Sequence, residues 1–391
     1  MFEKWGVHRS VWHRENGNAQ YAALTENLEC DCAVIGGGIT GLSTALELQR
    51  AGLSVIVLTE GRIGAGATGD TTAHLTFVPD LRLRALVDRY GLEKAAKVIQ
   101  SLKSGLGQIA ANVARHRISC DFQMVPARAF AESAEQAAGL RADQEAALAL
   151  GLDVKDESVG GLGFDVEKII TVSGQAQMHP LSYLHGLASN FLLEGGRIFE
   201  GSRVVEIKDG ERCEAVTAKG SVKARDLVLA THSPLGVYLS LHTRVAPYFT
   251  YAMAVRLRSH APEGLYWDSS DPYFYLRPLT TEDRKTLVVG GCDHKTGQEA
   301  HTLERYQKLE NYVRARFDVT DVTHYWGQEI FESVDGLPFI GKIPRTRGLW
   351  TATGFAGCGM TFGAAAGNIL TDLICERENA FAGIFDPARV G

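Results

Sequence analysis

A glycine cluster set between an apolar run and an amphipathic helix constrains this chain more than any other feature. Cys32-Ala33-Val34-Ile35 runs directly into Gly36-x-Gly38-x-x-Gly41. Leu42, Ala45, Leu46 and Leu48 then fall on one side of a helix that Gly52 ends as a C-terminal cap. A second apolar run, Ser54 to Leu58, reads as a strand. This β–glycine loop–α–β order opens a doubly wound parallel sheet. In that setting Gly36 permits the tight turn, Gly38 lets backbone approach a pyrophosphate, and Gly41 lets helix and strand pack closely. The pyrophosphate would sit on the helix N-terminus, where free N–H groups and the dipole favour anions. An acidic residue for the ribose hydroxyls is expected ~20 residues on. Glu60 is the nearby carboxylate there, its alternative being a solvated loop residue. A second match, Gly64-x-Gly66-x-x-Gly69, lacks a strand directly before it and a long helix after it. It is expected to fold back over the same cofactor rather than form a second nucleotide site.

The remaining pattern is mixed. Val98, Leu102, Leu106, Ile109 and Val113 make one stripe within a helical stretch from about Leu81 to Ile118. A second helical stretch runs from Ala134 to Leu150. His179-Pro180 introduces a third, over Leu181 to Leu193, followed by short strands. From Val245 to Cys292 the chain is β-like and dense in aromatics, and His301 to Phe317 is an amphipathic helix. Near the C-terminus a strand at Leu349 to Thr353 meets Gly354-Phe355-Ala356-Gly357-Cys358-Gly359-Met360-Thr361, which opens another helix. Gly363 to Gly367 keep that helix thin. The expected class is α/β with an α+β insert: a discontinuous Rossmann-like domain over 1–85, 172–238 and 326–391, and an inserted mixed-sheet domain over 86–171 and 239–325. Residues 1–30 read as an arm packed on the body.

Composition excludes several alternatives. A net charge of −6 argues against a nucleic-acid footprint. No apolar run approaches the ~18 residues of a membrane span. The N-terminus has no apolar core of a secretory signal, and the seven cysteines are odd in number and scattered. They read as buried thiols of a cytoplasmic protein, with no metal site among them.

The motifs together resemble the D-amino-acid-oxidase-like flavoproteins, the group that includes glycine oxidase and monomeric sarcosine oxidase. The landmarks are Cys32-Ala-Val-Ile-Gly-Gly-Gly-Ile-Thr-Gly41, Gly61-Arg62-Ile-Gly-Ala-Gly-Ala-Thr-Gly69, Asp335-Gly-Leu-Pro-Phe-Ile-Gly341 and Ala352-Thr-Gly-Phe-Ala-Gly-Cys-Gly-Met-Thr361. Within the group, Thr71-Thr-Ala-His-Leu-Thr76, Gln177-Met-His-Pro-Leu-Ser-Tyr-Leu184, Gly264-Leu-Tyr-Trp-Asp268, Cys292-Asp-His-Lys-Thr-Gly297 and Phe385-Asp-Pro387 are similar to a bacterial branch that often carries a Rieske iron–sulfur domain. No Cys–His-rich module of that kind follows in these residues.

The resemblance implies FAD, with its ring between the two domains. It assigns Gly36, Gly38, Ile39, Thr40 and Gly41 to the pyrophosphate loop and Glu60 and Arg62 to the adenosine end. Ala67, Thr68, Thr72 and Ala73 would line the path to the flavin. Val204 and Ala230 would border the cofactor, and Gly357, Cys358, Gly359, Met360 and Thr361 would face the pyrimidine edge. Three departures stand out. The family's ribose glutamate falls on Thr59. Val288 takes the place of a lysine that helps oxygen react in the amine-oxidase branch. Trp326-Gly327-Gln328-Glu329 offers no cysteine for a covalent tether, so non-covalent FAD is expected.

The implied chemistry is hydride removal from the carbon beside an amine, in a small amine or amino acid. Candidate pocket residues are Tyr251, Tyr273, Tyr275, Arg277 and His74, with Arg277 placed to grip a substrate carboxylate. The alternatives are an electron-transfer flavoprotein with an iron–sulfur or other electron-acceptor partner, a non-catalytic FAD-binding protein, and, more weakly, a nicotinamide reductase.

Overall fold

The computed structural model describes residues 6–13, 20–157, 161–233, 241 and 243–389. Parts of the expected arm (1–5 and 14–19) and of the expected boundary near 238 lie outside them.

Two sheets organise the chain. The first has a parallel centre ordered Leu349–Thr353, Ser221–Leu229, Leu28–Ile35, Val55–Leu58 and Arg197–Phe199. All four residues of Val55–Leu58 are buried, as a strand covered on both faces requires. Phe339–Lys342 adds an antiparallel edge, and a hairpin of Val204–Lys208 and Cys213–Thr217 leans on Ser221–Leu229. Helices α1 (Ile39–Arg50), α2 (Leu83–His116), α3 (Ala134–Ala149), α4 (Pro180–Leu193), α5 (Thr302–Arg314) and α6 (Gly359–Ile374) follow the sequence pattern closely. Leu42 and Leu46 of α1 are fully buried, each contributing roughly 1.5–3 kcal/mol of transfer free energy. The small residues of α6 serve α1: a Cβ on Gly363 would lie 2.7 Å from the Thr40 hydroxyl, and one on Gly367 would lie 2.9 Å from Ser43 backbone. The expected Leu81–Ile118 helix has a break at Gly91, where φ is +74°.

Among the described residues the second sheet has ten strands. Its long members are Val319–Ser333, Val245–Leu257, Thr286–Lys295, Gln123–Ala131 and Lys168–Gln177. Val245–Leu257 alternates: Tyr251, Met253 and Val255 face a core packed under α5, and Thr250 and Ala252 face the opposite side. Two expected boundaries fall inside strands of this sheet. Lys168–Gln177 runs unbroken across 171/172, and Val319–Ser333 across 325/326, because each pairs along its length with one neighbour. Val7–His8 from the arm and His74–Leu75 from the nucleotide side also join this sheet.

Candidate functional site

One cavity of about 1280 Å³ runs between the two sheets. That exceeds the ~300–1,000 Å³ of ordinary small-molecule pockets, leaving room for a dinucleotide and a substrate together.

Its first end is built from backbone. Gly36 has φ +125°, and a Cβ there would lie 2.2 Å from the Ala230 carbonyl oxygen, so only glycine makes this turn. Gly38 is the N-cap of α1 in extended conformation. Gly38 has no side chain to cap the helix and no acid occupies its first turn, so apart from the Ile39 N–H the positive end of α1 is left toward the cavity. The second glycine turn does fold back over the first. Gly64 donates its N–H to the Gly37 carbonyl at 3.0 Å, and Ile39 donates to the Thr68 hydroxyl at 3.1 Å. These features fit an anionic pyrophosphate in a narrow cradle. Glu60 lines this end but is largely exposed, paired to Arg203 at 3.3 Å.

The second end is built from side chains. His74, Trp267, Tyr273 and Tyr275 form an aromatic wall, with His74 5.2 Å from Trp267 and 5.6 Å from Tyr275 between ring centres. His74 is held below its ordinary range, to about 3, by burial and by the nearby Arg277 charge. It is therefore neutral at pH 7. Its ring nitrogens meet the Thr72 hydroxyl at 3.2 Å and the Leu276 carbonyl at 3.3 Å. Burial also pushes the Tyr273 and Tyr275 phenols up. Tyr275 and Thr250 share a hydrogen bond of 2.8 Å.

Most of the expected site residues line this one cavity: Gly36, Gly38, Ile39, Thr40, Glu60, Arg62, Ala67, Thr68, Thr72, Val204, Ala230, Gly357, Cys358, Gly359, Met360, His74 and Tyr275. Five do not. Gly41 sits behind the loop, its Cβ position 1.9 Å from the Gly36 carbonyl oxygen. Ala73 and Thr361 are fully buried, and the Thr361 hydroxyl donates to the Thr76 carbonyl at 2.8 Å.

The two corrections that matter concern the pocket. Tyr251 is 0% exposed and lies on the far face of its strand, bonded to His294 at 2.9 Å and edge-on to Tyr306. Strand alternation turns it away and presents Thr250 instead. Arg277 is 1% exposed, with the loop at Thr72 and Ala73 packed over it. Its guanidinium donates to the carbonyls of Thr72 (3.1 Å), Ala73 (2.8 Å) and Met178 (3.2 Å), and it lies 5.1 Å from the Trp12 ring centre. Burial lowers it to about 9. It braces the loop and has no free face for a substrate carboxylate.

Sequence reasoning missed three acids, Asp80, Asp293 and Glu332, and the cavity-lining Trp267 and Trp326. Asp293 lies within the Cys292–Gly297 stretch that carried the resemblance. Its direction depended on a register that sequence does not reveal.

Comparisons with known proteins agree with this fold. Residues 31–373 match the family described as FAD dependent oxidoreductase. The chain is 30% identical over 389 residues to the Rieske-named iron–sulfur protein YhfW of Bacillus subtilis (strain 168), covering 97% of this chain and 75% of that protein. It is 26% identical to gamma-glutamylputrescine oxidoreductase of Escherichia coli (strain K12), covering 96% and 92%. Glycine oxidase from Geobacillus kaustophilus shares the fold with a TM-score of 0.80 at 18% identity, covering 93% and 100%. L-proline dehydrogenase from P. horikoshii does so with a TM-score of 0.75 at 17% identity, covering 94% and 98%. No helix among the described residues is long and apolar enough to cross a membrane.

Proposed function

The chain belongs to the FAD dependent oxidoreductase family, and from that premise we propose that it oxidises the C–N bond of a small amine or amino acid. The observation that carries this reading is one continuous cavity that joins an anion-friendly helix terminus to an aromatic wall. When bound, FAD supplies the two-electron acceptor that takes hydride from the carbon beside the nitrogen.

The protein's own residues do the rest. Gly36, Gly38, Ile39 and Thr40 hold the pyrophosphate. Glu60, Arg62 and Val204 border the adenosine end, and Ala67, Thr68, Thr72 and Ala230 line the middle. Gly357 to Met360 meet the ring's pyrimidine edge. His74, Trp267, Tyr273 and Tyr275 exclude water and orient the substrate, and the rings attract a cationic ammonium. His74, neutral at pH 7, contributes shape and hydrogen bonding. Attachment of FAD is non-covalent in this reading. The amine and amino-acid relatives support the substrate class. The Rieske-named relative and Val288 at the lysine position support an electron-acceptor protein over oxygen. Seven free cysteines support a cytoplasmic setting.

The test is an anaerobic screen of amines and amino acids against the purified flavoprotein. Bleaching of the flavin band by at least one of them is expected. A flavin that dithionite reduces but no amine or amino acid does would overturn the reading.

A further inference from the structure

The second end of the cavity carries an electrostatic feature that flavin binding leaves unexplained. Asp80, Asp293 and Glu332 come from three separate segments and line the same wall. Burial raises all three, Asp293 to about 6 and Glu332 to about 7. The charges of Asp80 and Asp293 add to the rise at Glu332, and that of Asp80 to the rise at Asp293. The Asp80 carboxylate accepts from the Tyr273 hydroxyl at 2.9 Å and from the Gly357 N–H. Asp293 is only partly satisfied: Thr250 bonds it, yet its Oδ1 is buried without a hydrogen-bond partner. Among the described residues none of the three forms an ion pair with a lysine, arginine or histidine. They also do not converge as a metal-binding group.

Half-buried carboxylates without a counter-charge carry a cost, and a cation from outside relieves it. FAD does not provide one, since its charge is the pyrophosphate's. Cationic side chains on the cavity lie elsewhere or are engaged. Arg203 pairs with Glu60 at the first end, and Arg82 reaches Asp143 at 3.8 Å. Arg277, the buried cation beside this wall, is committed to backbone carbonyls. Among the described residues the wall offers carboxylates to an ammonium and no unengaged cation to a carboxylate.

Resting on the amine-oxidation reading, we infer that the substrate is an α,ω-diamine or polyamine that enters with at least two positive charges and no carboxylate beside its reacting carbon. Asp293 and Glu332 hold the ammonium that does not react, and the rings of Trp267 and Tyr275 cover the methylene chain between the two nitrogens.

The experiment uses the holoprotein under anaerobic conditions. Flavin bleaching is followed with 1,4-diaminobutane, a triamine, butylamine, glycine, sarcosine and L-proline. The diamine is expected to half-saturate at a concentration at least ~10-fold below butylamine, with no α-amino acid reducing the flavin. Added salt raises the diamine's half-saturation more than butylamine's. Asp293→Asn with Glu332→Gln is expected to close most of the gap between the two amines; the salt comparison gives the same answer on the unaltered protein if that variant loses its flavin. Equal half-saturation for diamine and butylamine, or reduction by an amino acid in preference to amines, would overturn the inference and leave amine or amino-acid oxidation standing. Failure of every amine and amino acid would remove both.

Discussion

Beside α1 the cavity is walled by main chain and very small side chains, whereas against the second sheet it is walled by bulky rings and carboxylates drawn from segments far apart in sequence. The first end relies largely on the absence of side chains: Gly36 and Gly38 carry none, and only the Thr68 hydroxyl reaches the N-terminus of α1. The second relies on which side chains alternate inward, Thr250 rather than Tyr251 and Asp293 rather than Cys292. A helix terminus recognises any phosphate, so one end can serve a common cofactor. A side-chain wall is specific to its chain, so the other end sets the substrate.

Breaking the first end should have the largest effect. Gly36→Ala forces a side chain into φ +125° and to within 2.2 Å of a carbonyl oxygen. FAD affinity is expected to fall at least ~100-fold, about 3 kcal/mol, measured by flavin fluorescence titration, with circular dichroism confirming the fold. Arg277→Met comes next. It strips the carbonyls of Thr72, Ala73 and Met178 of a buried charged donor, so a stability loss of ~3 kcal/mol or more is expected in denaturant unfolding. Lost flavin reduction with unchanged stability would instead return Arg277 to the substrate.

The fold was more legible in the sequence than the second end of the site. Glycine spacing and the 3.6-residue period located α1, α2, α4 and α6 and the strands between them, because those signals are local. The direction of Tyr251 and Arg277 was not local. It depends on the register of a ten-stranded sheet and on a loop, Asp70 to Ala73, held by Trp12 and Trp326 from distant segments. The three acids were invisible for the same reason: nothing in sequence brings residues 80, 293 and 332 together.

Smaller effects sharpen the contrast. Gly290→Val would press a side chain into the Tyr275 ring, whose nearest atom lies 2.2 Å from the Cβ position. Substrate reduction of the flavin should slow roughly 10-fold, about 1.4 kcal/mol, while FAD affinity stays close to that of the unaltered protein. The carboxylates make a pH prediction with two opposite signs. Asp293 and Glu332 are raised in the folded protein, to about 6 and about 7. Their proton-linked stability is therefore present at low pH and lost as pH rises through that window. Thermal unfolding of the flavin-free protein should show a falling midpoint there, and the fall should shrink in Asp293→Asn with Glu332→Gln to the part that Asp80 contributes. Cation binding by the same groups should strengthen over the same interval. Asp80, whose charge acts on both, is raised by burial as well, whereas His74 is neutral and the phenols of Tyr273 and Tyr275 and the thiol of Cys358 are pushed up. Tyr251→Phe should matter least. It removes only the hydrogen bond to His294 on the far face, costing ~1 kcal/mol of stability and less than about 2-fold in flavin reduction.

The most direct test is a crystal structure of the protein carrying FAD. The pyrophosphate should lie on the N-terminus of α1 between Gly36 and Thr68, with the ring reaching the wall of Trp267, Tyr275 and Asp293. A flavin whose ring points away from that wall, or a cavity that stays empty in crystals grown with saturating FAD, would contradict the account.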